Sequence, residues 1–150
     1  MDPLLLTATG YAGLLATSFL AATLLPLSSE ALIVAMAAGG FAPGGLLLVA
    51  TVGNVLGSVA NYLAGRLGRR FFMARRSQRP SRHLARAEHI FGRWGSPALL
   101  FAWTPFIGDP LTVVAGVLRV ALPVFLFWVT MGKCLRYALL LVGVDMASAG

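Results

Sequence analysis

A chain of 150 residues with 58% hydrophobic side chains, 11% charged ones and a mean hydropathy of +0.82 lies far from soluble-domain composition and reads as an integral membrane protein. Its length leaves room for one compact membrane domain and none for a separate soluble catalytic domain. The net charge of +7 would suit a nucleic-acid patch in principle, but its clustering is better read as a short polar loop between spans that obeys the positive-inside rule.

No charge falls between Asp2 and Glu30, or between Glu30 and Arg66. The N-terminus lacks a basic region followed by a small-residue cleavage site, so no cleaved signal peptide is expected. Leu14–Leu25 and Ala31–Ala38 read as two short apolar arms, broken at Pro26-Leu27-Ser28-Ser29. After a Gly/Pro turn from Gly39 to Gly45, a full span is predicted over Leu46–Leu63. Arms this short cannot cross a hydrocarbon core about 30 Å thick, so they suit a re-entrant hairpin. The alternative is that Leu4–Leu25 is an ordinary span. On the first full span Gly53, Gly57, Asn61 and Gly65 form one i, i+4 stripe, a pattern that permits close helix packing.

Nine of the twelve basic residues lie between Arg66 and Arg93, which makes this linker cytoplasmic by the positive-inside rule. Ser81 can cap a helix in which Leu84, Ala87, Ile90, Phe91 and Trp94 share an apolar face, with Arg82, Arg86 and Arg93 elsewhere. That pattern suits a helix lying on an anionic leaflet. His83 and His89 lack metal-ligand spacing, and no metal or cofactor is expected. Beyond the linker, arms are predicted over Pro97–Trp103 and Leu111–Leu118, broken at Thr104-Pro105-Phe106-Ile107-Gly108. Pro123 marks a turn before a span over Val124–Val144.

The second set of elements repeats the first. At an offset of 79 residues, Pro26 matches Pro105, Leu32 Leu111, Val34 Val113, Ala42 Ala121, Leu47 Leu126, Thr51 Thr130, Gly53 Gly132 and Leu56 Leu135 without a gap, and Glu30 matches Asp109. The pattern is an internal duplication: repeat one at about 11–65, the linker at about 66–93 and repeat two at about 94–146 of a single membrane domain. A hairpin returns to its own side and the next span crosses once, so the second copy starts inverted. The expected fold is therefore all-α, two inverted repeats of re-entrant hairpin plus transmembrane helix, an architecture of transporters.

Ionisable groups at membrane depth are functional candidates by default. Glu30 and Asp109 are expected at the hairpin tips, with Pro26, Pro105 and Gly108, approaching one central region. Lys133 and Arg136, three residues apart in the second span, are the candidate cations; Arg119 could hold a phosphate bidentately. Ser28 and Ser29 have nothing in the sequence to fix them against Lys133 as a nucleophile, so the chain is not expected to be an enzyme.

The stretches SFLAATLLPLSSEALIVAM, TVGNVLGSVANYLAGRLG and WTPFIGDPLTVVAGVLR…MGKCLRY resemble the YqaA-like branch of the bacterial DedA superfamily. That superfamily shares its membrane domain, the VTT domain, with eukaryotic lipid scramblases. The resemblance implies a multi-pass bacterial inner-membrane protein with two facing re-entrant hairpins. It implies proton-dependent transport or flipping of an anionic lipid, such as undecaprenyl phosphate or a phospholipid. The alternative is a non-transporting scaffold or envelope-maintenance protein. Glu30 matches the family's first-hairpin acid. A further upstream acid is replaced here by Thr17, Ser18 and Thr23, and the family's two second-hairpin arginines by Ala102–Asp109. Arg119, Lys133 or Arg136 would have to stand in for them. The implied partners are membrane lipids with anionic headgroups, a homo-oligomer is left open, and no nucleic acid is implied.

Overall fold

The computed structural model describes residues 3–23, 28–68, 82–104 and 107–148. These are mostly helical, with no strand among them. The elements are α1 (Pro3–Ala21), α2 (Ser28–Ala38), α3 (Pro43–Leu67), α4 (Arg82–Trp94), a 3-10 helix (Ser96–Trp103), α5 (Gly108–Val117) and α6 (Leu122–Ser148). Among the described residues two helices are long and apolar enough to cross a membrane: Pro43–Leu67 with mean hydropathy 1.6, and Leu122–Ala147 with 1.5. Pro26, Pro105 and Ser81 lie outside the described residues.

Several boundaries differ from the sequence expectation. The first arm is 19 residues long and starts at Pro3 rather than Leu14, because Gly10 and Gly13 are tolerated inside an otherwise apolar helical run. Both α2 and α5 begin before their acids, so Glu30 and Asp109 sit in the first helical turn. The partial positive charge of a helix N-terminus favours carboxylates there. The first arm of the second copy is a 3-10 helix with Pro97 near its start.

The chain divides into two compact units: 1–57 with 133–150, and 58–132. In unit one α2 folds back along α1, since a methyl on Gly10 would touch the Phe41 ring and come 3.3 Å from Met36 Cε. α3 then runs alongside α1. An added Cβ on Gly53 would lie 2.5 Å from the Leu15 carbonyl, and one on Gly57 2.5 Å from that of Phe19. Leu14, Ile33, Met36, Leu46, Ala50 and Tyr137 form the core of this unit, edged by Tyr11, Phe41 and Leu140. Because backbone, not a movable side chain, faces Gly57, we expect Gly57→Leu to cost about 1–3 kcal/mol; the detergent melting midpoint measures it.

In unit two the first half of α6 seats Gly132 against the Leu100 carbonyl, and Gly108 abuts the Ala102 carbonyl. Tyr62, Leu99, Leu111, Phe125 and Val129 are buried. α4 packs against α5 and the 3-10 helix, burying Ala87 and Phe91. This corrects the leaflet expectation in part: the middle of the apolar face is taken up by protein, while Trp94 stays 60% exposed beside exposed Arg82, Arg86 and Arg93.

The 79-residue offset appears in these elements as well. α3 begins at Pro43 and α6 at Leu122; α2 ends at Ala38 and α5 at Val117. Both short helices close with the same pair of hydrogen bonds, Gly40 to Ala37 and Phe41 to Met36, then Arg119 to Gly116 and Val120 to Ala115. This is the Schellman pattern, which needs a left-handed residue at its centre. Gly40 has φ 83 and Arg119 φ 56.

Candidate functional site

Unit one holds most of the predicted charges. Two consecutive α2 residues, Ser29 and Glu30, meet two consecutive α6 residues, Tyr137 and Arg136, because the second half of α6 packs along α2. Arg136 Nε donates to Glu30 Oε1 at 2.7 Å, and its Nη2 forms an ion pair with the same oxygen. The side chains are 16% and 31% exposed. The Arg136 guanidinium also lies 5.9 Å from the Tyr137 ring centroid.

Beside that pair is a buried polar chain. Lys133, 3% exposed, donates from Nζ to Asn54 Oδ1. Asn54 Nδ2 donates to Tyr137 Oη at 2.6 Å, and Tyr137 Oη and Ser29 Oγ are 3.2 Å apart. Burial in low dielectric makes each of these bonds costly to leave unmade. Ser18 Oγ and Thr51 Oγ1 are also buried here and have no hydrogen-bond partner among the described residues.

The other predicted residues are placed as follows. Asp109 is half-buried in the first turn of α5, where its carbonyl accepts a 2.7 Å bond from Thr112 Oγ1. Arg119 is exposed at the end of α5 in unit two. The small-residue stripe serves two partners: Gly53 and Gly57 face α1, whereas Gly65 abuts the Val113 carbonyl of α5. Asn61 is half-buried on α3. Gly108 lets the start of α5 approach the 3-10 helix.

Sequence reasoning missed Asn54, Tyr137 and the bonding role of Ser29. One signal was present: Asn54 and Lys133 are themselves 79 residues apart, the same position in the two copies. A buried amide matched to a buried ammonium marks a polar position in both long helices. Missed in unit two is Tyr62, whose hydroxyl donates to the Val120 carbonyl at 2.6 Å and accepts from Arg66 Nη1 at 2.9 Å. A lone tyrosine in an apolar span carries no such signal.

Comparison with known proteins bears on this geometry. The VTT domain matches residues 3–146. The inner membrane protein YqaA of Escherichia coli is 42% identical over 125 residues, covering 83% of this chain and 83% of its own length. YqaA of Shigella flexneri gives the same figures. A Haemophilus influenzae protein is 35% identical over 133 residues, covering 83% of this chain and 81% of its own. No solved structure matches. With two span-length helices and these relatives, the protein is a multi-pass protein of the inner membrane. The chain belongs to the VTT-domain (DedA) family of membrane proteins.

Proposed function

We propose that the protein carries an anionic lipid across the inner membrane by a proton-dependent mechanism, through two re-entrant hairpins arranged as inverted repeats. The observation that carries this reading is the depth of the arms. Ala22, just past the end of α1, would touch a Cβ on Gly57, near the middle of α3; Trp103, ending the 3-10 helix, would meet one on Gly132, near the middle of α6. Each first arm thus ends beside the middle of the long helix in its own unit. The return helices support this, since 11 and 10 residues rise only about 15–17 Å.

Each return helix starts with an acid, Glu30 or Asp109, which serves as the proton-responsive group of its copy. Arg136 and Lys133 are the headgroup contacts, cations held by internal acceptors until a phosphate-like anion replaces them. The paired state of Glu30 and Arg136 also suits a scaffold that moves nothing. The buried hydroxyls of Ser18 and Thr51 favour transport, because water entering unit one would satisfy them and a dry scaffold would not. Proteoliposomes carrying fluorescent phosphatidylglycerol or a prenyl phosphate test the reading. Protein-dependent loss of leaflet asymmetry, faster with an imposed proton gradient, is expected; a rate equal to empty liposomes would sink it.

Topology gives a second check. Reporter fusions at Gln78 and after Gly150 are expected on opposite sides, with Gln78 cytoplasmic. Two cytoplasmic signals would contradict a single crossing by α6.

A further inference from the structure

We propose that Arg66 and Arg119 form a phosphate-recognition site on unit two, at the C-terminal end of α5, outside the proton and headgroup residues of unit one. Arg119 occupies the left-handed position of its helix cap with φ 56, where the first copy has Gly40. A side chain is strained at that conformation where glycine is not. Such an outlier points to a use for the side chain itself, and Arg119 is exposed.

A second arginine is brought to the same end. Reciprocal glycines let α3 and α5 touch backbone to backbone, Gly65 on the Val113 carbonyl and Gly116 on the Tyr62 carbonyl. The Tyr62 hydroxyl, one turn before Arg66, then donates to the carbonyl of Val120, next to Arg119, at 2.6 Å. Arg66 Nη1 donates to that hydroxyl at 2.9 Å. The Arg66 guanidinium is thus held one hydroxyl away from the turn that carries Arg119. Neither arginine is ion-paired with a described residue, so their remaining donors suit a phosphate oxygen set. Exposed Leu63 (45%), Leu67 (84%) and Leu118 (56%) flank them with the apolar surface an acyl chain would cover. The ligand class is a phosphate carried by a lipid or free in solution. The site stands whether or not the chain translocates lipid.

The test titrates the full chain, in neutral detergent, with dioctanoyl phosphatidic acid and with dioctanoyl phosphatidylcholine, read by native mass spectrometry and ligand-induced melting shift. Phosphatidic acid is expected to bind and phosphatidylcholine to fail. Arg119→Gly and Arg66→Gln should each weaken binding about tenfold and together abolish it. Arg119→Gly should melt at or above wild type, so its loss of binding is not misfolding. Arg86→Gln on α4, an equal loss of charge, should leave binding intact. Displacement by millimolar inorganic phosphate would assign the site to free phosphate, and retention of the lipid would assign it to a headgroup; either supports phosphate recognition. Wild-type binding by the double variant, or equal weakening by Arg86→Gln, would overturn it.

Discussion

Replacing Asn54 with leucine is expected to lower the stability of the detergent-solubilised protein by about 3 kcal/mol, a fall of roughly 6–12 °C in melting midpoint for a chain of this size. Asn54 is the hub of the buried chain in unit one, accepting from Lys133 and donating to Tyr137. Leucine fills the same volume but offers neither group. It removes an acceptor from a buried ammonium and a donor from a buried hydroxyl, and both losses are paid in desolvation rather than in contact area. Adding Lys133→Met should restore at least about 1 kcal/mol, because the two residues are coupled and the charge leaves with the side chain. A double variant whose loss equals the sum of the singles would show that Asn54 does not brace Lys133.

Glu30→Gln is expected to reduce lipid translocation to the background of empty liposomes, and it separates the transporter from the scaffold. The substitution keeps shape and removes charge, leaving Arg136 to bond a neutral amide where it now meets a carboxylate at 2.7 Å. Breaking a pair this sheltered costs about 2–3 kcal/mol, below the figure for a fully buried pair because both side chains retain some exposure. Glu30→Gln with Arg136→Gln should recover most of that stability through side-chain amide bonding. If the pair is only a brace, the double variant should behave as wild type in every assay. If Glu30 carries a proton and Arg136 a headgroup, it should fold, melt normally and still fail to translocate. Recovery of gradient-stimulated translocation by the double variant would remove both residues from the mechanism.

Much of the helical plan was legible because its signals are large. The Pro-and-acid pairs at 26/30 and 105/109 mark where each return helix begins, and Gly40 marks where α2 stops. Arg119, at the matching stop of α5, hid the same cap because an arginine advertises charge rather than backbone conformation. The partner of Arg136 was not legible. Four cations and acids of balanced sign allow several pairings, and only the packing of α6 along α2 brings Arg136 to Glu30. The fate of α4 was hidden for a related reason: an apolar stripe reads the same whether lipid or protein covers it, and here Ala87 and Phe91 are buried. The 3-10 form of Ser96–Trp103 has no periodic signature at all over so short a run.

The two compact units do not coincide with the two copies. Unit one joins the arms of the first copy to the opening half of α3 and the closing half of α6; unit two takes the remaining halves with the second pair of arms. Repetition and compact packing therefore have different boundaries. A single copy released alone would have half of its long helix without the arms that bury it, and its arms without half of their cover. Chain severed between Gly68 and Arg82 should yield two fragments that are each degraded when expressed singly and rescued when expressed together. The closing half of α6 is the last-made part of unit one, so that unit is completed only when the end of the chain has been made.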